Sequence, residues 1–129
     1  MRLLLDTHVL LWLLDDPGEL LAETRAALAD EGNALAVSVA SLWEIVVKVR
    51  TGKLRADVSA VARRLAPHSG VALLGITPAH LATMQALPRF RDHSDPVDLA
   101  LVATAVSEGM TLVTRDAKLA RYPVARLPC

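Results

Sequence analysis

Cysteine is nearly missing from this chain. The only one, Cys129, is its last residue, so neither a disulfide framework nor a Cys-based zinc site is available. Aromatic residues are almost as scarce. Trp12, Trp43, Phe90 and Tyr122 are the whole set, which disfavours an RNA-binding sheet that depends on stacked bases. Net charge is lacking too. With 14 Lys+Arg against 14 Asp+Glu, overall charge does not mark a nucleic-acid binder, and any polyanion must be held by local patches or by metal. No apolar run approaches the roughly 18 residues needed to cross a bilayer. Asp6 interrupts Met1-Arg2-Leu3-Leu4-Leu5 before the core of a signal peptide can develop. The expectation is a cytoplasmic protein without membrane contact.

What is present is apolar and ordered. The 129 residues are expected to form a single domain, residues 1–129, large enough to bury a core without staples. A hydrophobic content of 53% and a mean hydropathy of +0.36 are high for such a domain. Some apolar surface should therefore face a partner, and an oligomer is expected.

Apolar runs alternate with helical patterns. Arg2 to Asp6, Ala34 to Val39, Val71 to Ile76 and Thr111 to Thr114 read as buried strands, with Val124 to Leu127 as a candidate fifth. Between them lie helical segments: Leu10 to Leu14 with Thr7 as N-cap, Glu19 to Glu31, Ser41 (as cap) to Val49, Asp57 to Leu65, one opening at Thr77-Pro78, and Asp95-Pro96 to Glu108 with Gly109 as its stop. The polar stretch Pro88 to Asp95 reads as an exposed loop. This alternation implies a three-layer α/β/α sandwich around a mostly parallel sheet of four to five strands. The functional crevice of such a sheet lies outside the carboxyl ends of its strands, at the switch in strand order.

Four acidic residues would be aimed at that rim: Asp6 ending the first strand, Glu44 in the helix after the second, Asp98 opening the helix before the fourth, and Asp116 just past the fourth. Two ionised carboxylates about 5 Å apart repel by roughly 3 kcal/mol at an effective dielectric of about 20, so the whole set is unattractive as structure alone. Mg²⁺ or Mn²⁺ prefers such oxygen ligands, can hold a phosphate, and turns a bound water into a nucleophile. The expectation is metal-assisted phosphodiester chemistry. Each acid also has a structural reading: Asp6 and Asp116 can cap the helical turns after them, Asp95 or Asp98 can complement a helix dipole, and Glu44 can pair with Lys48 four residues on. His8, His68, His80 and His93 lack the spacing of a zinc site. His93 stands as an accessory that shuttles protons, touches substrate or anchors its loop. Phosphate contacts would fall to Lys48, Arg50, Lys53 and Arg55, and to Arg89, Arg91 and Arg115 near the rim; solvated charge is the rival reading for each. Trp12 and Trp43, in apolar stripes, read as core or interface.

Leu3-Leu4-Leu5-Asp6-Thr7-His8, Ser41-Leu42-Trp43-Glu44-Ile45, Gly52-Lys53-Leu54, His93-Ser94-Asp95-Pro96-Val97-Asp98 and Thr111-Leu112-Val113-Thr114-Arg115-Asp116 together resemble the PIN-domain ribonucleases, in particular the VapC-like toxins of bacterial toxin–antitoxin pairs. The resemblance spans essentially the whole chain. It implies a Mg²⁺- or Mn²⁺-dependent endoribonuclease, a homodimer, and neutralisation by a cognate antitoxin. It places Asp6, Glu44, Asp98 and Asp116 in the acidic set, Asp6 and Asp98 as metal ligands, and Thr114 as an accessory hydroxyl; Asp95 stands beside His93 as a further accessory candidate. The chain departs from Asp-Pro-Phe-Asp-Arg at Val97 and Leu99, which removes an arginine beside the rim. A PIN-like module that only binds protein is the alternative. A phosphoacceptor receiver domain, also weighed, needs an aspartate ending a central strand and a lysine ending a later one; Val71 to Ile76 and Val124 to Leu127 offer neither.

Overall fold

Strand β1, Arg2–Leu5, carries Leu3, Leu4 and Leu5 at 0% exposure. Three successive buried leucines in a strand require cover on both faces. It lies at the centre of a five-stranded, wholly parallel sheet whose order is β3-β2-β1-β4-β5. The others are β2 (Ala34–Ser38), β3 (Val71–Leu74), β4 (Thr111–Thr114) and β5 (Arg126–Pro128). The computed structural model describes residues 1–65 and 69–129, so His68 lies outside the described residues.

Alternate side chains feed two separate cores. Leu3, Leu5, Val37 and Val113 pack with Val9 and Leu10 of α1 (Thr7–Asp15), Leu28 of α2 (Ala22–Ala29), Ile45 of α3 (Val39–Arg50) and Val61 of α4 (Val58–Arg64). Leu4, Ala36 and Leu112 pack on the other face with Met84 of α5 (Pro78–Ala86) and Leu101, Val102 and Ala105 of α6 (Pro96–Glu108). The result is the expected three-layer α/β/α sandwich, with every strand parallel.

Several local expectations are corrected. Thr7 does not cap α1: Asp6 does, its Oδ1 accepting from the Val9 N–H at 2.9 Å, while the buried Thr7 hydroxyl has no partner among the described residues. Ser41 is likewise inside α3, whose cap lies three residues earlier: Ser38 Oγ accepts from the Ala40 N–H at 3.0 Å. Glu19 to Glu31 is not one helix. A 3-10 turn, Pro17–Glu19, is followed by extended Leu20 and Leu21 before α2 begins, since burying Leu20 at 3% exposure requires the chain to leave the helical path. The 88–95 segment is not uniformly exposed either: His93 is buried and its backbone pairs with Phe90. The fifth strand begins at Arg126, two residues later than expected, and β3 ends at Leu74.

The order of the strands sets the location of any crevice. The chain builds outward from β1 through β2 to β3, then returns to add β4 on β1's other side. The connections leaving β1 and β4 therefore diverge at their carboxyl ends, and a gap opens there. Asp6 is the first residue after β1 and Asp116 the second after β4. Helix α6 runs back toward the start of β4, which puts its N-terminal turn, with Asp98, at the same end of the sheet.

Candidate metal centre

Asp6 is 9% exposed. Burial pushes its carboxyl above the ordinary range, opposed by hydrogen bonds from Thr114 and the Val9 N–H and by the charge of His8; the charge of Glu44 pushes it further up. The Thr114 hydroxyl, fully buried at the end of β4, accepts from the Asp116 N–H at 3.1 Å. It thus links the chain ends that carry the two aspartates.

Asp98 is half-buried in the first turn of α6. Its carboxyl is also raised, mainly by burial, with the His93 hydrogen bond lowering it and the charges of Asp95 and Glu44 raising it. Asp98 Oδ2 lies 3.1 Å from His93 Nε2. Donor atoms of His93, Asp98 and Asp116 all fall within 4.8 Å of one another. Asp6 and Glu44 stand outside that tightest group, yet Glu44 acts electrostatically on both Asp6 and Asp98. Among the described residues, no lysine or arginine forms an ion pair with Asp6, Asp98 or Asp116; Glu44 has Lys48 at 3.8 Å.

The structural duties read from sequence are real as well. Asp95 Oδ1 caps α6, accepting from the N–H groups of Val97 and Asp98 at 2.9 and 3.1 Å. Asp116 Oδ1 caps the 3-10 turn Ala117–Arg121 through the Lys118 N–H at 2.9 Å. A cap occupies one carboxylate oxygen, and each carboxylate has a second.

A family model for the PIN domain matches residues 3–125. The chain belongs to the PIN-domain family. Over 118 residues it is 33% identical to Ribonuclease VapC22 of Mycobacterium tuberculosis, covering 90% of this chain and 88% of that protein. The fold is also that of VapBC2 from Rickettsia felis, solved bound to a promoter DNA fragment, with a TM-score of 0.73, 18% identity and coverage of 99% and 98% of the two chains. FitAcB from Neisseria gonorrhoeae aligns with a TM-score of 0.60 at 20% identity, covering 97% and 96%.

Around this PIN domain's carboxylates the basic candidates divide. Lys48 and Lys53 line a cleft of about 310 Å³ together with Trp43, Glu44, Asp95 and Val97. Trp43 is 57% exposed, so of its two readings, core or interface, the core is excluded. Arg91 is exposed on its loop. Arg115, though exposed, is engaged within the chain: its guanidinium donates to the carbonyls of Cys129 and Glu19, and stacks 4.0 Å above the Trp12 ring. Val97 is buried in the α5–α6 core and Leu99 packs against it, so both residues that depart from the family pattern act in packing. A second cleft, about 540 Å³ and mainly apolar, runs past Met84, Phe90, His93, Leu99 and Tyr122 and includes none of the four acids.

Sequence reasoning missed Tyr122. Its hydroxyl lies 2.7 Å from His93 Nδ1, a contact across 29 residues that no local pattern signals. No helix among the described residues is long and apolar enough to cross a membrane.

Proposed function

We propose that this chain is a metal-dependent endoribonuclease, the toxin of a toxin–antitoxin pair, with Asp6, Glu44, Asp98 and Asp116 as its acidic site. The observation that carries the reading is the gathering of acids at the switch crevice of a PIN domain. Asp98 and Asp116 share a donor group with His93, and buried Asp6 meets the charge of Glu44. The likeness to a ribonuclease over most of both chains supports the reaction.

The donor set fits a hard dication. It is mostly carboxylate oxygen, and burial disfavours the charge of Asp6 and Asp98 without an arginine or lysine paired to either. Asp6 and Asp98 would hold Mg²⁺ or Mn²⁺, with Glu44 and Asp116 completing its surroundings. Such a cation, when bound, neutralises phosphate charge and acidifies water for in-line attack. The protein's own groups do the rest. The buried Thr114 hydroxyl accepts from the Asp116 N–H and favours the ionised carboxyl of Asp6, so one side chain at the end of β4 acts on both acids. Lys48 and Lys53, in the cleft that Glu44 borders, attract the RNA backbone, and Arg91 extends that charge along the loop. A second copy of the chain and a cognate antitoxin are the protein partners in this reading. Exposed Val39, Trp43 and Val47, spaced four residues apart on α3, supply apolar surface for the second copy.

Purified protein should cleave total cellular RNA in Mn²⁺ or Mg²⁺ and stop when EDTA is added. Asp98→Asn should remain folded and lose cleavage. Mn²⁺ binding without any metal-dependent cleavage would instead favour the protein-binding module.

A further inference from the structure

His93 occupies an unusual place for a loop histidine. It is 9% exposed, and both ring nitrogens are engaged: Nδ1 with the Tyr122 hydroxyl at 2.7 Å and Nε2 with Asp98 Oδ2 at 3.1 Å. A carboxylate only accepts, so Nε2 must carry the proton it donates. In the neutral ring Nδ1 then has a lone pair, and the phenol donates to it. One tautomer is thereby selected. The contact engages Oδ2 of Asp98 and leaves Oδ1 without a protein partner among the described residues.

The other end of this chain of hydrogen bonds is rigid. Tyr122 is 3% exposed within the α5–α6 core, and Phe90 meets its ring edge-on at a centroid distance of 5.3 Å. His93 is held by its own backbone as well, its N–H donating to the Phe90 carbonyl at 3.3 Å. The 3-10 turn Ala117–Arg121 is capped by Asp116 at one end and followed directly by Tyr122 at the other. One short segment thus supplies an acid of the cluster and the anchor for another.

We infer that Tyr122 and His93 are positioning residues: a buried phenol–imidazole relay that orients the Asp98 carboxylate, with Oδ1 free, toward a divalent cation. The inference rests on the reading that Asp98 binds such a cation, and it assigns His93 outside the ligand set. Were the imidazole a ligand, Nε2 would have to give up Asp98, since Nδ1 is already held by Tyr122. Removing a hydrogen-bond partner of a metal-binding carboxylate typically weakens the metal by roughly 10–100-fold.

Mn²⁺ titrated into the intact protein, by calorimetry and by electron paramagnetic resonance of the free ion, tests the relay alongside melting temperature. His93→Leu should weaken Mn²⁺ by roughly 10-fold or more. His93→Gln, whose amide N–H reaches near the position of Nε2, should recover most of that loss, which a purely structural loop anchor would not produce. Tyr122→Phe keeps the ring and its packing; it should weaken Mn²⁺ and shift the ¹⁵N resonance of Nδ1, which loses its donor, while Asp98 keeps the proton on Nε2. Should His93→Leu fail to fold, Tyr122→Phe decides. Wild-type Mn²⁺ affinity in Tyr122→Phe overturns the relay alone, as does nitrogen hyperfine coupling from His93 to bound Mn²⁺. Wild-type protein that binds no Mn²⁺ overturns the cation reading and the relay with it.

Discussion

Replacing Asp6 separates its two duties. One is the cap: Oδ1 accepts from the Val9 N–H at 2.9 Å. The other is a carboxylate charge that burial disfavours. Asparagine caps as well as aspartate and carries no charge; alanine loses the cap, at about 1 kcal/mol. In metal-free buffer at neutral pH, Asp6→Asn should be as stable as wild type or more so, and Asp6→Ala should fall below Asp6→Asn by roughly 1 kcal/mol. In a chain of this size that is about 4 °C in melting temperature. Mn²⁺ at about 100 times its Kd should then raise wild type by about 2.7 kcal/mol, and neither variant should follow. Thermal melts in EDTA and in Mn²⁺ measure all of this. If Asp6→Asn melts as low as Asp6→Ala without metal, the charge itself supports the fold and the reasoning fails.

Burial raises the carboxyls of both Asp6 and Asp98, so between their ordinary and raised values the native state binds more protons than the unfolded chain. Stability without metal therefore falls as pH rises through that window. The deficit of wild type against an Asp6→Asn/Asp98→Asn double variant should shrink as pH drops from neutral toward about 4; urea melts showing a constant deficit would contradict this. Gly109 ends α6 at φ +66°, with nothing within 4 Å of an added Cβ, so Gly109→Ala should cost about 1 kcal/mol in urea unfolding through backbone strain alone. Arg115→Lys loses the planar fork that joins Cys129, Glu19 and Trp12 and should lower stability by roughly 1 kcal/mol. A fall in RNA affinity with unchanged melting temperature would instead assign Arg115 to substrate contact rather than to stability.

The strands were legible because a parallel sheet covered on both faces makes its strands continuous apolar runs, as at Leu3-Leu4-Leu5 and Leu112-Val113. The cap at Thr77 was legible because the capping side chain directly precedes Pro78, and the helix openings at Asp57 and Asp95 fall within a residue of the observed starts. Thr7 and Ser41 misled because a hydroxyl just inside a helix looks the same in sequence as one at its boundary. Only the backbone path decides which side chain faces the free N–H groups. Glu19 to Glu31 has helix formers throughout, and its break at Leu20 and Leu21 follows from packing.

Sequence by itself determined which elements form and which acids lie near their ends, because periodicity, caps and stops act over a few residues. Only the tertiary structure decided how those ends meet. It placed β4 against β1, brought His93, Asp98 and Asp116 within 4.8 Å of one another, tied Arg115 to Trp12, and set Tyr122 against His93 from 29 residues away. Contacts of that span depend on strand order and helix packing, which leave no local mark on the chain.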